Sequence, residues 1–170
     1  TSFTHCRNLK NCGVCYSRPN IFISNNLFHP NHHGFLPKHS TASALTQLYD
    51  IWLEAAEKKE LAATLLLDLS AAFDVIPHRI LYEKFKCYNF SDNTINFFKT
   101  YLNDRQQRVQ VESNVSGPIK VGNCGVPQGS VLGPLIFLIF QNDFPANSDY
   151  GESVLYADDA TDVVSDEDPI

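Results

Sequence analysis

The segment SVLYADDATDVV, residues 153 to 164, sets Asp158 and Asp159 side by side between Val154, Leu155, Val163 and Val164. A third acid, Asp68, closes the apolar run LAATLLLD ninety residues earlier. Carboxylates beside buried strands repel one another and resist losing water, and each raises the other's pKa when no cation is near. On a regular strand neighbouring side chains alternate between faces, which would send Asp158 and Asp159 apart. A tight hairpin turn breaks that alternation, and we expect it to present both acids at its tip. With that hairpin beside the strand ending at Asp68, three carboxylates converge. Hard oxygen ligands of this kind select Mg2+ or Mn2+. Two such ions about 3.5–4 Å apart serve an in-line displacement at phosphorus. Phosphoryl transfer is the expected chemistry.

The rest of the chain must position these acids. From Ser40, a candidate N-cap, the pattern turns helical, with Leu45, Leu48, Tyr49, Trp52 and Ala56 recurring at steps of three and four. The continuous apolar run 61–69 predicts a buried strand. Pro77 suits the first turn of a helix through HRILYEKF, and Ser91 can cap a second, DNTINFFKTYL. QRVQVE and IKVGN alternate around the turn residues SNVSGP and predict a hairpin. GVPQGS is a loop feeding VLGPLIFLIFQNDF, which is apolar on all sides and so predicts a buried helix. The order of elements gives an α+β layout with helices backing a sheet.

Composition bounds the function classes. With 170 residues and 44% hydrophobic content, one globular domain is the default. The chain starts at Thr1 and has no Met, so we expect a piece of a longer protein. The longest apolar stretch, 131–140, is short of the roughly 20 residues a membrane span needs. No secretory leader is present, so the expected location is intracellular, in nucleus or cytoplasm. Of five cysteines, Cys6, Cys12 and Cys15 lie near His5, but their spacing fits no familiar zinc finger. A reduced chain is the simpler reading. Net charge is −6, yet all 13 Lys and Arg fall within residues 1–120, and residues 121–170 carry only acids. A basic part joined to an acidic one suits a protein that holds phosphates in one place and cations in another.

Three stretches, LLLDLSAAFDVIPH, GVPQGSVLGPLIFLIFQNDFP and YADD, resemble in order and spacing the palm motifs of reverse transcriptases, particularly those of non-LTR (LINE-type) retrotransposons. LFHPNHHGFLPKHSTASAL (27–45) resembles that family's finger-to-palm segment and YLNDRQQRVQV (101–111) its intervening segment. Five ordered blocks over residues 21–165 are far more specific than one DD pair. The resemblance implies an α+β polymerase right-hand palm, an antiparallel sheet backed by helices, with part of the fingers and without the thumb. Residues 1–20 stay unassigned, 21–66 correspond to partial fingers with the helix leading into the palm, and 67–170 to the palm. It further implies an RNA-directed DNA polymerase that uses an RNA template, a DNA primer, deoxynucleoside triphosphates and two Mg2+ ions, without membrane involvement.

Residue by residue, the resemblance makes Asp68, Asp158 and Asp159 the catalytic carboxylates and metal ligands, with the Leu69 carbonyl as a further ligand. Ala71 and Ala72 would turn their amides to the triphosphate, and Phe73 would block a 2′-hydroxyl. Gln128 and Gly129 match nucleotide and template contacts. Arg105, Arg108, Lys38 and Tyr156 are the candidate nucleic-acid contacts. His32 and Leu36 depart from the family, which usually carries Gln and Arg at these places. Two alternatives accompany the polymerase: a non-catalytic retroelement-derived remnant that keeps the fold, and a carboxylate-dependent nuclease with His78 as the candidate base.

Overall fold

The computed structural model describes residues 22, 25, 27–145 and 151–167. The candidate zinc-binding residues His5, Cys6, Cys12 and Cys15 lie outside them. Cys87 and Cys124, which lie inside, are free thiols.

The first helix, α1 (Thr41–Lys58), starts as its sequence predicts. The Ser43 amide donates to the Ser40 hydroxyl at 3.3 Å, and the Ser40 amide donates back to the Ser43 hydroxyl at 2.8 Å. This reciprocal cap satisfies two of the amides that a helix start leaves open. The buried face is Ala44, Leu48 and Ala55, rotated from the expected stripe. Leu45, Tyr49 and Trp52 are exposed. The helix carries two apolar stripes, and the one with two alanines lets it approach the sheet closely. Trp52 still anchors through its indole N–H, which donates to the Thr64 hydroxyl at 2.9 Å.

Strand β1 (Leu61–Asp68) follows, and it is not the buried strand that its apolar run predicts. The main sheet has the order β1-β7-β6, with β6 spanning Glu152–Tyr156 and β7 spanning Asp159–Asp166. Among the described residues β1 has a strand neighbour on one side alone, as an edge strand does, and Leu66 remains 76% exposed. Both pairings are antiparallel. On the opposite edge, the Leu155 amide donates to the Asn31 carbonyl (2.9 Å) and the His33 amide to the Leu155 carbonyl (2.8 Å). Residues 31–33 thus run alongside β6 in parallel.

Helices α2 (His78–Cys87), α3 (Asp92–Leu102) and α4 (Gly133–Gln141) build the larger core. Pro77 precedes α2, Ser91 caps α3 through the Thr94 amide, and Pro134 sits in the first turn of α4. Phe85 stacks on Phe90 with ring centres 4.9 Å apart and meets Phe98 at 4.6 Å, while Ile76, Leu81, Ile136 and Ile139 are fully buried. Each such side chain contributes about 1.5–3 kcal/mol of burial. Between α3 and α4 lies the expected hairpin, in two short rungs: β2 (Gln106–Gln107) with β5 (Ile119–Lys120), and β3 (Gln110–Val111) with β4 (Asn114–Val115). All of these strand residues are exposed. Among the described residues, no helix is long and apolar enough to cross a membrane.

Candidate active site

The register of β1 against β7 sets Asp68 directly opposite Asp159. Residues paired across an antiparallel ladder point to the same face with Cβ atoms about 5 Å apart. Two carboxylates therefore share one face at the end of the sheet. Among the described residues, no Lys or Arg forms an ion pair with either. Asp158 occupies the two-residue turn Ala157–Asp158 between β6 and β7, and its carbonyl accepts the Leu69 amide at 3.3 Å. That bond ties the turn to the end of β1. Asp159 is the first residue of β7 and lies opposite Tyr156, so it is not at the tip where the sequence predicts it. The flanks anchor the hairpin: Val154, Leu155 and Val163 are buried, whereas Val164 faces outward.

Among the described residues, no three acid, His or Cys side chains are arranged as a ready metal cage. The expected three-way cluster is thus a ladder-fixed pair, with the third acid in the adjoining turn. Like charges without a cation between them repel, and the turn acid has no ladder partner to hold it close. The donor set still fits a hard divalent ion. Mg2+ typically takes one or two carboxylates plus water and substrate phosphates, not a complete protein shell.

After β1 the chain makes a tight turn. The Ala72 amide donates to the Leu69 carbonyl at 3.0 Å, which corrects the expectation for Ala72. Ala72 is buried and its amide is spent within the turn, so it does not face a triphosphate here. The Leu69 carbonyl retains one lone pair. Ala71 is exposed at φ +56, and among the described residues its amide has no hydrogen-bond partner. Phe73 is half-buried, stacked on the core ring of Phe137 with centres 4.7 Å apart and met edge-on by Phe35 at 6.1 Å.

The Gly/Pro loop closes over this turn. The amides of Gly125 and Val126 donate to the carbonyls of Ile76 and Phe73, each at 2.8 Å. The Gln128 carboxamide donates to Asp74 at 2.9 Å. Gly129 is exposed at φ +74, a conformation that favours glycine. Gly125 is required for two reasons: its φ is +77, and a Cβ there would stand 2.7 Å from the Asp74 carbonyl oxygen.

Two candidates have other duties. The guanidinium of Arg105 donates to the carbonyls of Leu102 (3.1 Å), Cys124 (3.3 Å) and Gly125 (2.9 Å), so it clamps α3 to the loop and does not await a nucleic-acid backbone. His78 is buried and its Nε2–H donates to the Gly125 carbonyl at 2.7 Å, which removes it as the base of a nuclease. Arg108 and Lys38 are exposed and, among the described residues, form no ion pair. Tyr156 is half-buried against the Ala44 and Leu48 side of the sheet.

The sequence reading missed the support of the carboxylate turn. A Cβ on Gly34 would lie 2.1 Å from the Ala157 nitrogen, so this glycine lets residues 31–34 press against the turn itself. Asn31 adds a side-chain bond to the Ser153 carbonyl at 2.9 Å, and Gln47 on α1 donates to Asn31 at 2.8 Å. The glycine within HHGF was the available signal. Next to it, burial lowers the His32 pKa to about 4, opposed by a hydrogen bond to the Gln141 backbone and reinforced by His29 and His33.

Comparison with known proteins gives a consistent picture. Residues 6–169 match the family described as "Reverse transcriptase (RNA-dependent DNA polymerase)". The chain is 36% identical over 135 residues, 79% of its length, to a probable RNA-directed DNA polymerase from transposon BS of Drosophila melanogaster. It is 38% identical over 115 residues, 68% of its length, to the RNA-directed DNA polymerase from mobile element jockey of the same species. It spans about 15% and 12% of the length of these two relatives. Among solved structures, it resembles an apo telomerase from Candida tropicalis truncated from its C-terminal domain, with TM-score 0.61 and 15% identity over 87% of this chain and 32% of that one. That likeness concerns the fold, an antiparallel sheet with helices in the polymerase right-hand arrangement.

Proposed function

The chain belongs to the reverse transcriptase family, and from that premise we propose that it forms the palm of an RNA-directed DNA polymerase extending a primer on an RNA template. The observation that carries the reading is the direct pairing of Asp68 with Asp159 beside the Asp158 turn. Asp68 and Asp159, with Asp158, would hold divalent ions, Mg2+ foremost. Bound there, two such ions would acidify the primer 3′-hydroxyl and offset the charge of the triphosphate.

The chain's own residues supply position. The primer 3′-oxygen forms its bond to the α-phosphorus as the bond to the pyrophosphate oxygen breaks, and the hydroxyl proton leaves to solvent. The β1–β7 ladder fixes two of the three acids before substrate arrives, so little reorganisation accompanies reaction. The exposed Ala71 amide would meet triphosphate oxygens. Gln128 and Gly129, tethered through Asp74, present a loop to the template–nucleotide pair. Phe73, braced on Phe137, excludes a 2′-hydroxyl, and the exposed cations Arg108 and Lys38 would meet the nucleic-acid backbone.

Primer extension on an RNA template tests the reading. We expect Mg2+-dependent incorporation of deoxynucleotides that Asp158→Asn abolishes; extension by the variant equal to wild type would sink the assignment. One observation favours a second reading, the remnant that folds without polymerising: Leu36 stands where the family usually carries Arg. That reading predicts no extension and only weak, salt-insensitive binding of template–primer.

A further inference from the structure

Phe35 is out of place on three counts. Its φ is +58, a left-handed conformation uncommon for a residue with a bulky side chain. The residue is 49% exposed, so it forgoes much of the burial that a phenylalanine offers. It also immediately follows Gly34, whose missing Cβ lets the backbone lie against Ala157 in the carboxylate turn. Strained, exposed aromatic residues persist where a site uses them, and the direction of inference runs from the outlier to the role.

The ring's one aromatic partner among the described residues supplies that role. Phe35 meets Phe73 edge-on, with centres 6.1 Å apart and planes at 83°. Phe73 is also stacked on Phe137, a residue of the buried core, at 4.7 Å and 23°. The core therefore braces the Phe73 ring through Phe137, and among the described residues Phe35 is the other aromatic ring that meets it. Edge-to-face contact of this kind favours one ring orientation over its neighbours. Phe35 also links two parts of the candidate site: its neighbour Gly34 lies against the Asp158 turn and its own ring meets Phe73.

We infer that Phe35 is a specificity-determining residue for the nucleotide sugar, acting as the outer wall that holds Phe73 against a ribose 2′-hydroxyl. This rests on the polymerase reading and adds a second residue to sugar selection. Without the Phe35 ring, Phe73 is free to swing toward solvent and admit the hydroxyl. A phenylalanine kept for packing alone would alter stability and leave sugar preference untouched.

The test compares deoxyadenosine and adenosine triphosphate analogues with a non-cleavable α,β linkage. Their binding to the 170-residue chain with template–primer and Mg2+ is measured by calorimetry for wild type, Phe35→Ala, Phe35→Tyr and Phe73→Ala. We expect Phe35→Ala to narrow the deoxy-over-ribo preference by about three- to tenfold, the range an aromatic pair supports. Phe35→Tyr should retain the preference, and Phe73→Ala should erase it. Phe35→Gly, which suits the left-handed backbone, guards against misfolding: it should unfold cooperatively and still narrow the preference. A full preference in folded Phe35→Ala and Phe35→Gly, with Phe73→Ala changed, overturns the role of Phe35 and leaves the polymerase reading standing. A chain that binds neither sugar overturns both.

Discussion

His32 offers a perturbation whose size can be worked out. Its ring is buried beside Leu155, on the strand that leads into the Asp158 turn, and its Nε2 has no hydrogen-bond partner among the described residues. Burial lowers its pKa from 6.5 to about 4. The unfolded chain therefore takes up this proton near pH 6.5, and the folded chain refuses it until near pH 4. Because the folded-state value is depressed, the contribution of neutral His32 is complete above pH 6.5. It is lost as pH falls toward 4, where it levels off. At about 1.4 kcal/mol for each tenfold change in proton affinity, the loss across that window is on the order of 3 kcal/mol. That is a large share of the 5–15 kcal/mol typical of a whole domain. The assay is urea unfolding of the 170-residue chain between pH 7.5 and 4, alongside His32→Gln, which carries the family's usual residue and does not titrate. The variant need not match wild type in absolute stability, because a buried amide with an unmet donor costs about 1–3 kcal/mol. Its stability should nonetheless fall less steeply, by about 3 kcal/mol over the window. Parallel curves for the two proteins would refute a buried neutral His32.

Three further outcomes follow from the same geometry. Asp159→Asn removes like-charge repulsion across the β1–β7 ladder, so it should raise stability by a few tenths of a kcal/mol in metal-free buffer while abolishing primer extension; chemical unfolding with an extension assay checks both. Gly34→Ala drives a methyl into the Ala157 backbone and should cost about 1–3 kcal/mol, read as a shift of the urea midpoint. Gln128→Ala unties the loop from Asp74; its exposed bond is worth about 1 kcal/mol or less in stability, so the expected signature is a raised KM for nucleotide with an unchanged melting point.

Local chemistry was legible in the sequence wherever one residue type dictates one geometry. Ser40 and Ser91 cap their helices because a hydroxyl answers an open amide. Gly125 and Gly129 stand in a Gly/Pro loop, and the apolar run after Pro134 forms a buried helix. The YADD hairpin lies beside the strand ending at Asp68, as apolar flanks around paired acids suggest. What failed was anything that depends on which neighbour arrives. A continuous apolar run reads as buried, yet β1 lies at a sheet edge and leaves Leu66 in solvent. Helix α1 has two apolar stripes, and periodicity cannot tell which one meets the sheet. Arg105 and His78 look like charged and basic chemistry, but both are consumed by the Gly125 carbonyl, a partner invisible until the loop closes. The one-residue difference that moves Asp159 from turn tip to strand is likewise a matter of register, set by its pairing with Tyr156.

The central claim is that Asp68, Asp158 and Asp159 act together in holding divalent cations at the end of the sheet. Mn2+ titration followed by electron paramagnetic resonance, with template–primer and a non-reacting deoxynucleotide present, measures this most directly. Asp68→Asn and Asp159→Asn should each weaken the tightest Mn2+ site by more than about tenfold, since even an outer partner of a metal ligand commonly costs that much. Mn2+ bound equally well by wild type and both variants would contradict the account.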